Sequence, residues 1–280
     1  HRKLLEGHSA GARGNKLQAY AACGVSSCHE PIKAEEVLDR LRLGIYVMVR
    51  EGSIRRDLAE IAGIKDMVAD TRRLILTTDG ISPADLLELG YMEHLVQKAI
   101  DCGFDPVTAV QMATLNVAEH FGLDDRLGGI APGKYADLVL IPDPQTIQAM
   151  LVVSSGRIIA RDGALEVAPR KHAFAAASLD TVRIPKTVEP SDFGLPFSGD
   201  GDTATCRAIE MVTDLVTREV RLDLPVTDGE IKMDSANDLV KLAAIDRATV
   251  PGKCFTGLIK GFGMRSGAMA CSAAWDTSCV

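Results

Sequence analysis

Three short strand-like runs near the start of this chain each end on a residue that can hold a metal ion. That pattern constrains the fold more than any other feature. The runs end at Gly7-His8, at Cys28-His29-Glu30 and at Thr77-Thr78-Asp79. His8, His29 and Asp79 lie 21 and then 50 residues apart. A barrel of eight strand-plus-helix units in about 250 residues uses about 30 residues per unit, and its active site is built at the C-terminal ends of its strands. The spacing therefore predicts ligands delivered to one end of a parallel sheet by successive strands.

The segments between these points support that reading. Val25-Ser26-Ser27 leads into His29, Ile45 to Val49 is a buried-type strand leading to Arg50-Glu51-Gly52-Ser53, and Leu74-Ile75-Leu76 leads to Asp79. An amphipathic helix is expected from Ala34 to Leu43, with Leu38 and Leu41 inside and Glu35, Glu36, Asp39 and Arg40 outside. Alternating strands and helices imply a parallel sheet covered by helices. Ser82-Pro83 and Asp105-Pro106 are helix starts, with a capping side chain before a proline at the first helical position. They predict one helix to about Cys102 and a second to about Phe121-Gly122, which close the barrel.

Beyond Gly128 the pattern changes. Gly129 to Leu140 gives a turn and a short strand, and Val152-Val153 with Ile158-Ile159-Ala160 reads as a strand pair around a Ser-Gly turn. This is a small β segment. Residues 169–203 are rich in Pro, Ser, Thr, Asp and Gly and read as a linker. Strand is then expected from Val216 to Leu224 and helix from Asp234 to Ile245, an incomplete α/β unit. The predicted fold class is α/β: the C-terminal part of a TIM barrel (1–124), a β-sandwich segment (125–168) and a partial C-terminal domain (169–280).

Composition removes several function classes. The net charge of -7 argues against a nucleic-acid binder held by a basic surface, and 4% aromatic residues leave few stacking platforms. Arg55-Arg56 and Arg72-Arg73 are short clusters of the solvated kind. No apolar run is long enough to span a membrane and no signal peptide is visible. Seven cysteines without a regular framework or a CxxC pair read as reduced, mostly buried thiols in a cytoplasmic protein.

Taken together, the segments resemble the adenine deaminases of the amidohydrolase superfamily. The resemblance runs through Gly7-His8, Leu17 to Tyr20, Gly24 to Glu30, Leu41 to Gly44, Val47 to Ser53 and Thr78-Asp79. It continues through Asp105 to Ala109, Ala113 to Asn116, Ala131 to Val139 and Gly261 to Ala268. It implies a metal-dependent barrel that hydrolyses adenine to hypoxanthine and ammonia. By resemblance His8 and His29 are the ligands after the fifth and sixth strands, Asp79 is the aspartate after the eighth, and Glu30 is the carboxylate that follows the sixth-strand histidine.

Binuclear barrel hydrolases commonly supply their first ligands from a His-x-His pair, which this chain lacks. The chain therefore reads as the C-terminal part of a larger enzyme, expected to be inactive and poorly soluble alone. Cys28 stands where the family has Asp, Gly80 where it has a second Asp, and Trp275 to Cys279 where it has a His-Asp-Ser-His-Asn pattern.

A divalent metal lowers the pKa of water toward 7, and neutral imidazoles such as His8 and His29 bind it without cancelling its charge. Asp79 is expected to bind metal and accept a proton from the attacking water. Glu30 is expected to protonate the ring nitrogen, or else to cap the helix that follows it. Arg50 and Ser53 either touch substrate or are solvated strand ends. His94 and His120 read as structural, Cys28 as packing, and Gly261-x-Gly263-x-x-x-Gly267 as tight turns. Manganese, iron and zinc all suit mixed nitrogen and oxygen ligation. The expected partners are a small-molecule purine and further copies of the chain, with no nucleic acid and no membrane. The competing readings are a hydrolase of another purine or cyclic amide, and a non-catalytic homologue.

Overall fold

The computed structural model describes residues 3–184, 187–213, 216–249 and 252–271. The chain divides into two units, His1–Arg170 and Lys171–Val280. The Trp275 to Cys279 departure lies outside the described residues.

The first unit opens as the spacing predicts. Strands β1 (Glu6–Gly7), β2 (Ser27–Cys28), β3 (Tyr46–Arg50) and β4 (Leu74–Thr77) form a parallel sheet in that order. Helix α1 (Gly14–Ala22) links β1 to β2, and α2 (Ala34–Arg42) links β2 to β3. Helix α3 (Leu58–Ile61), with a 3₁₀ turn over Ala62–Asp66, links β3 to β4. Successive strand residues point to opposite faces. Val47 and Val49 of β3 and Leu74 and Leu76 of β4 therefore pack together against Val37 of α2 and Leu58 and Ile61 of α3. Each such side chain contributes about 1.5–3 kcal/mol when fully buried. Arg50, the last residue of β3, is thereby placed at the same end of the sheet as His8, His29 and Asp79.

Both helix starts form, but neither helix is continuous. Ser82 Oγ accepts the Asp85 N–H and Pro83 opens α4 (Pro83–Glu88). That helix stops before Gly90, whose φ of +96° lies outside right-handed helix, and α5 (Met92–Asp101) begins after it. Asp105 accepts the Thr108 N–H and opens α6 (Pro106–Ala113). The break comes at Thr114, with φ -131° and ψ -84°, and α7 (Leu115–Phe121) follows. Asn116 of α7 donates its amide to the carbonyls of Leu74 (2.8 Å) and Thr71 (3.1 Å), tying this helix to the start of β4.

Arg40 corrects the helical-face reading. It is not outside: it is 2% exposed and donates to the Ser9 carbonyl (2.8 Å), to Ser9 Oγ and to the Glu36 carbonyl (2.9 Å). The loop after β1 folds over the guanidinium, an event that helix periodicity does not register.

The same unit carries a small antiparallel sheet, β5 (Leu138–Leu140), β6 (Leu151–Ser154), β7 (Arg157–Arg161) and β8 (Ala164–Leu165). Ser155 and Gly156 form the expected turn, both with positive φ (48° and 76°), which a two-residue primed hairpin turn requires.

In the second unit a four-residue helix, α8 (Ala176–Leu179), precedes a five-stranded sheet. Its strands are β9 (Thr203–Met211), β10 (Thr217–Thr227), β11 (Glu230–Ile231), β12 (Leu239–Ile245) and β13 (Cys254–Lys260), ordered β11-β10-β9-β13-β12. Ala208, Leu224, Leu239 and Leu258 form its core. The helix expected over Asp234 to Ile245 is not there. Asp234 does cap, accepting the Asn237 N–H, but only a 3₁₀ turn over Ser235–Asn237. Asp238 then enters the left-handed region (φ 53°), and the apolar run that follows pairs as β12 with β13. Apart from α8 and short 3₁₀ turns, the described part of this unit is β rather than α/β.

Candidate metal centre

Four strand ends meet at one place. His8 follows β1, His29 and Glu30 follow β2, Arg50 ends β3, and Asp79 stands two residues beyond β4. His8 Nδ1 lies 3.0 Å from Glu30 Oε1, and His29 Nε2 lies 3.3 Å from the same oxygen. The two imidazole rings meet edge to face, with centroids 4.3 Å apart. His8, His29 and Glu30 each offer one ligand atom, all within 4.8 Å of one another. Asp79 Oδ1 stands 4.0 Å from His29 Nε2. The set is two imidazole nitrogens with carboxylate oxygens, a donor chemistry that fits a divalent first-row transition ion.

Burial lowers the pKa of His29. The carboxylates of Asp79 and Glu30 pull it up, while His8 and Arg50 add smaller downward effects. The net direction favours neutral imidazole, the form that ligates metal. The His8 side chain, just beyond the edge strand β1, is 76% exposed.

Arg50 runs beneath the carboxylates with its side chain 5% exposed. Its Nη1 lies 3.1 Å from Asp79 Oδ2 and 3.5 Å from Glu30 Oε2. On the far side Asp57 Oδ2 accepts from Arg50 Nε at 3.2 Å and lies 3.1 Å from Nη2, a close contact that is off the line of the Nη2 hydrogens. Arg55 Nε also reaches Asp57, at 3.4 Å. Asp57 was not legible as part of a site, because it follows Arg55-Arg56 in what reads as a solvated charge cluster.

Ser53 is not drawn into the donor set. Its Oγ accepts the Ser82 N–H at 2.6 Å and its N–H donates to the Gly80 carbonyl at 3.0 Å, so it ties down the loop after β4. That loop holds Asp79 with φ 47° and Gly80 with φ 103°, two consecutive left-handed residues. Glu30 does not cap α2, whose first turn begins at Lys33 and Ala34. Glu36 accepts the Ile32 N–H instead. Cys28 is fully buried, its Sγ 2.8 Å from Ser9 Oγ, in a small core with Ala12, Leu17 and Ile45. His120 is also buried and pairs with Glu6 at 2.8 Å, against the Tyr46 ring.

Comparison with known proteins adds to this geometry. The amidohydrolase family matches over residues 26–161, and the adenine deaminase C-terminal domain over residues 214–279. The chain is 36% identical over 277 residues to an adenine deaminase of Clostridium botulinum (strain 657 / Type Ba4), a match that covers 98% of this chain and 46% of that protein. It is 39% identical over 280 residues to an adenine deaminase of Rubrobacter xylanophilus, with the same shares covered. Nearly the whole chain is thus similar to adenine deaminases. It matches the C-terminal part of those relatives and spans about 46% of their length. Among solved structures, an N-acetylglucosamine-6-phosphate deacetylase from Pasteurella multocida is similar with a TM-score of 0.46 at 17% identity, over 56% of this chain and 51% of that one. That likeness is too slight to add to the topology above. Amidohydrolases generally use divalent metals, in keeping with this donor set. Among the described residues no helix is long and apolar enough to cross a membrane.

Proposed function

We propose that this chain supplies part of the metal site of an enzyme that hydrolyses adenine to hypoxanthine and ammonia. The observation that carries the reading is the meeting of His8, His29, Glu30 and Asp79 at one end of four parallel strands. His8 Nδ1, His29 Nε2 and Glu30 Oε1 are the atoms fitted to hold the metal, which when bound activates water as a nucleophile at neutral pH. Asp79 Oδ1, further out and turned toward His29, is placed to take a proton from that water and return it to the departing amino nitrogen. Glu30 has one oxygen toward the imidazoles and the other toward Arg50, which suits holding metal better than delivering a proton to the ring. Arg50, nearly buried and engaged by three carboxylates, is better placed to set those carboxylates than to touch substrate.

The finer architecture follows the same reading. The parallel sheet and its helices (1–124) are the closing part of a TIM-type barrel, the β5–β8 sheet (125–168) is one piece of a β-sandwich, and residues 169–280 are part of a C-terminal domain. The metal is manganese or iron, with zinc as the third choice, and the substrate a free purine in purine metabolism. The free thiols of Cys23, Cys28, Cys102, Cys206 and Cys254 suit a cytoplasmic enzyme, which we take to be a homo-oligomer.

The test is ammonia release from adenine by the protein expressed from its complete reading frame, loaded with manganese or iron, with Asp79→Asn as control. Release that vanishes in the control supports the assignment. A metal-loaded protein that releases no ammonia from adenine overturns it.

A further inference from the structure

Arg50 divides each of the two carboxylates beside it. One nitrogen, Nη1, faces Asp79 Oδ2 at 3.1 Å and Glu30 Oε2 at 3.5 Å. The other oxygen of each carboxylate is turned the opposite way, Glu30 Oε1 toward both imidazoles and Asp79 Oδ1 toward His29. A guanidinium presents its donors in a fixed plane, so once its position is set the orientation of its partners is set with it. That position is fixed from behind by Asp57, which engages Nε at 3.2 Å and lies 3.1 Å from Nη2.

We propose that Asp57 and Arg50 form a positioning pair that limits Glu30 to one oxygen toward the metal and keeps Asp79 Oδ1 turned toward His29. Carboxylates can hold a metal through one oxygen or through both. The guanidinium prevents the second mode at Glu30 by occupying its other oxygen. Asp57 acts only through Arg50: it is not in the donor set, and its side chain is itself mostly buried. This inference rests on the metal-site reading above and adds to it which residues set the coordination number.

Asp57 does not serve its own helix. Helix α3 begins at Leu58, but the Asp57 side chain makes no capping bond to it and is spent on Arg50 and Arg55.

The experiment uses the complete protein loaded with cobalt in place of the native metal, because cobalt held by fewer ligands absorbs more strongly in the visible. Arg50→Met should free the second oxygen of Glu30 and weaken the cobalt band, while the circular dichroism of the fold is unchanged. Asp57→Asn should loosen manganese about 10–100-fold by calorimetry, the range seen when groups behind metal ligands are removed. In the Arg50→Met background the same Asp57 change should add nothing. If Arg50→Met does not fold, Arg50→Lys, which keeps the charge and loses the planar fork, should show the weakened band.

An unchanged band in a folded, cobalt-loaded Arg50 variant overturns the proposal. So does an Asp57→Asn effect of the same size in both backgrounds. Failure to bind cobalt in the unsubstituted protein overturns it together with the metal site. Loss of the band in the variants with no adenine turnover by the parent upholds the pair and sinks only the substrate assignment.

Discussion

A Cβ on Gly52 would stand 2.0 Å from the carbonyl oxygen of Thr78, and 2.4 Å from that of Gly80. The segment after β3 thus passes directly against the turn that carries Asp79, and only a residue without a side chain allows it. The obstructing atoms are backbone, so no rotamer change relieves the contact. Gly52→Ala should therefore displace the Asp79 turn and cost about 1–3 kcal/mol, the usual range for forced overpacking. Thermal unfolding with and without manganese checks this. A variant with unchanged melting temperature and unchanged metal response would show that the turn moves freely.

His29 and His8 should respond unequally to substitution. His29 is mostly buried among charged partners, while His8 lies exposed beside the edge of the sheet. His29→Ala removes a ligand and leaves Glu30 and Asp79 facing each other without the imidazole between them. Its loss of manganese affinity should exceed the roughly 10–100-fold typical of outer groups. His8→Ala should remove affinity with little change in the stability of the metal-free protein. Calorimetric titration and denaturant unfolding on each variant separate the two effects. Equal stability losses would contradict the difference in burial.

Ser53 should prove to be a backbone fastener. Its Oγ accepts the Ser82 N–H at 2.6 Å, where α4 begins. Ser53→Ala should lower stability by about 0.5–1.5 kcal/mol, the net value of one hydrogen bond. The KM for adenine should stay as it was. A large rise in KM at unchanged melting temperature would return Ser53 to the substrate.

The convergence of His8, His29 and Asp79 was legible because a parallel βα fold puts function at strand ends, and the three end strand-like runs at repeat-like spacings. The chain between them was legible for the same reason: α2, β3 and β4 fall where the apolar pattern puts them. What failed was tertiary in origin. Arg40 lies on a helix whose charged residues read as outward, and only the fold of the β1–α1 loop over it makes it an interior residue. The Asp234 cap signal was real, yet it served a single 3₁₀ turn, since the pairing of β12 with β13 outweighed a weak local preference for helix. Asp57 gave no signal, because an acid beside two arginines reads as surface until the strand end it engages is known.

Glu36 gives the fold a pH dependence of known sign. Burial raises its pKa, but this is more than offset by the Ile32 N–H (3.0 Å) and by Arg13 (2.5 Å), which hold the carboxyl below its ordinary 4.5. The unfolded state thus binds the proton more readily. The stabilisation is complete above the ordinary value and is lost as the pH falls through the lower, folded-state value. Glu36→Gln should be less stable than the parent at neutral pH and should decline less between about pH 5 and pH 3. Urea midpoints over that range check it, and parallel curves for the two proteins would refute it.

Arg40 should matter to the metal although it touches no ligand. It donates to the carbonyl of Ser9, the residue next to His8, and to Ser9 Oγ, which in turn meets Cys28 Sγ beside His29. One buried guanidinium therefore ties α2 to the loops that deliver both histidines. Arg40→Met keeps much of the volume but removes the guanidinium's bonds to the Ser9 carbonyl, left with only the Ala12 N–H, and to Ser9 Oγ. A hydrogen bond to a charged group contributes about 1.5–3 kcal/mol. The expected result is a lower melting temperature together with weaker manganese binding, the second effect entering through the backbone at Ser9. Ser9→Ala removes the hydroxyl and spares the carbonyl contact, so it should show a smaller drop in both. A stable Arg40→Met protein with parental manganese affinity would mean that the His8 loop is held by its own turn and not by α2.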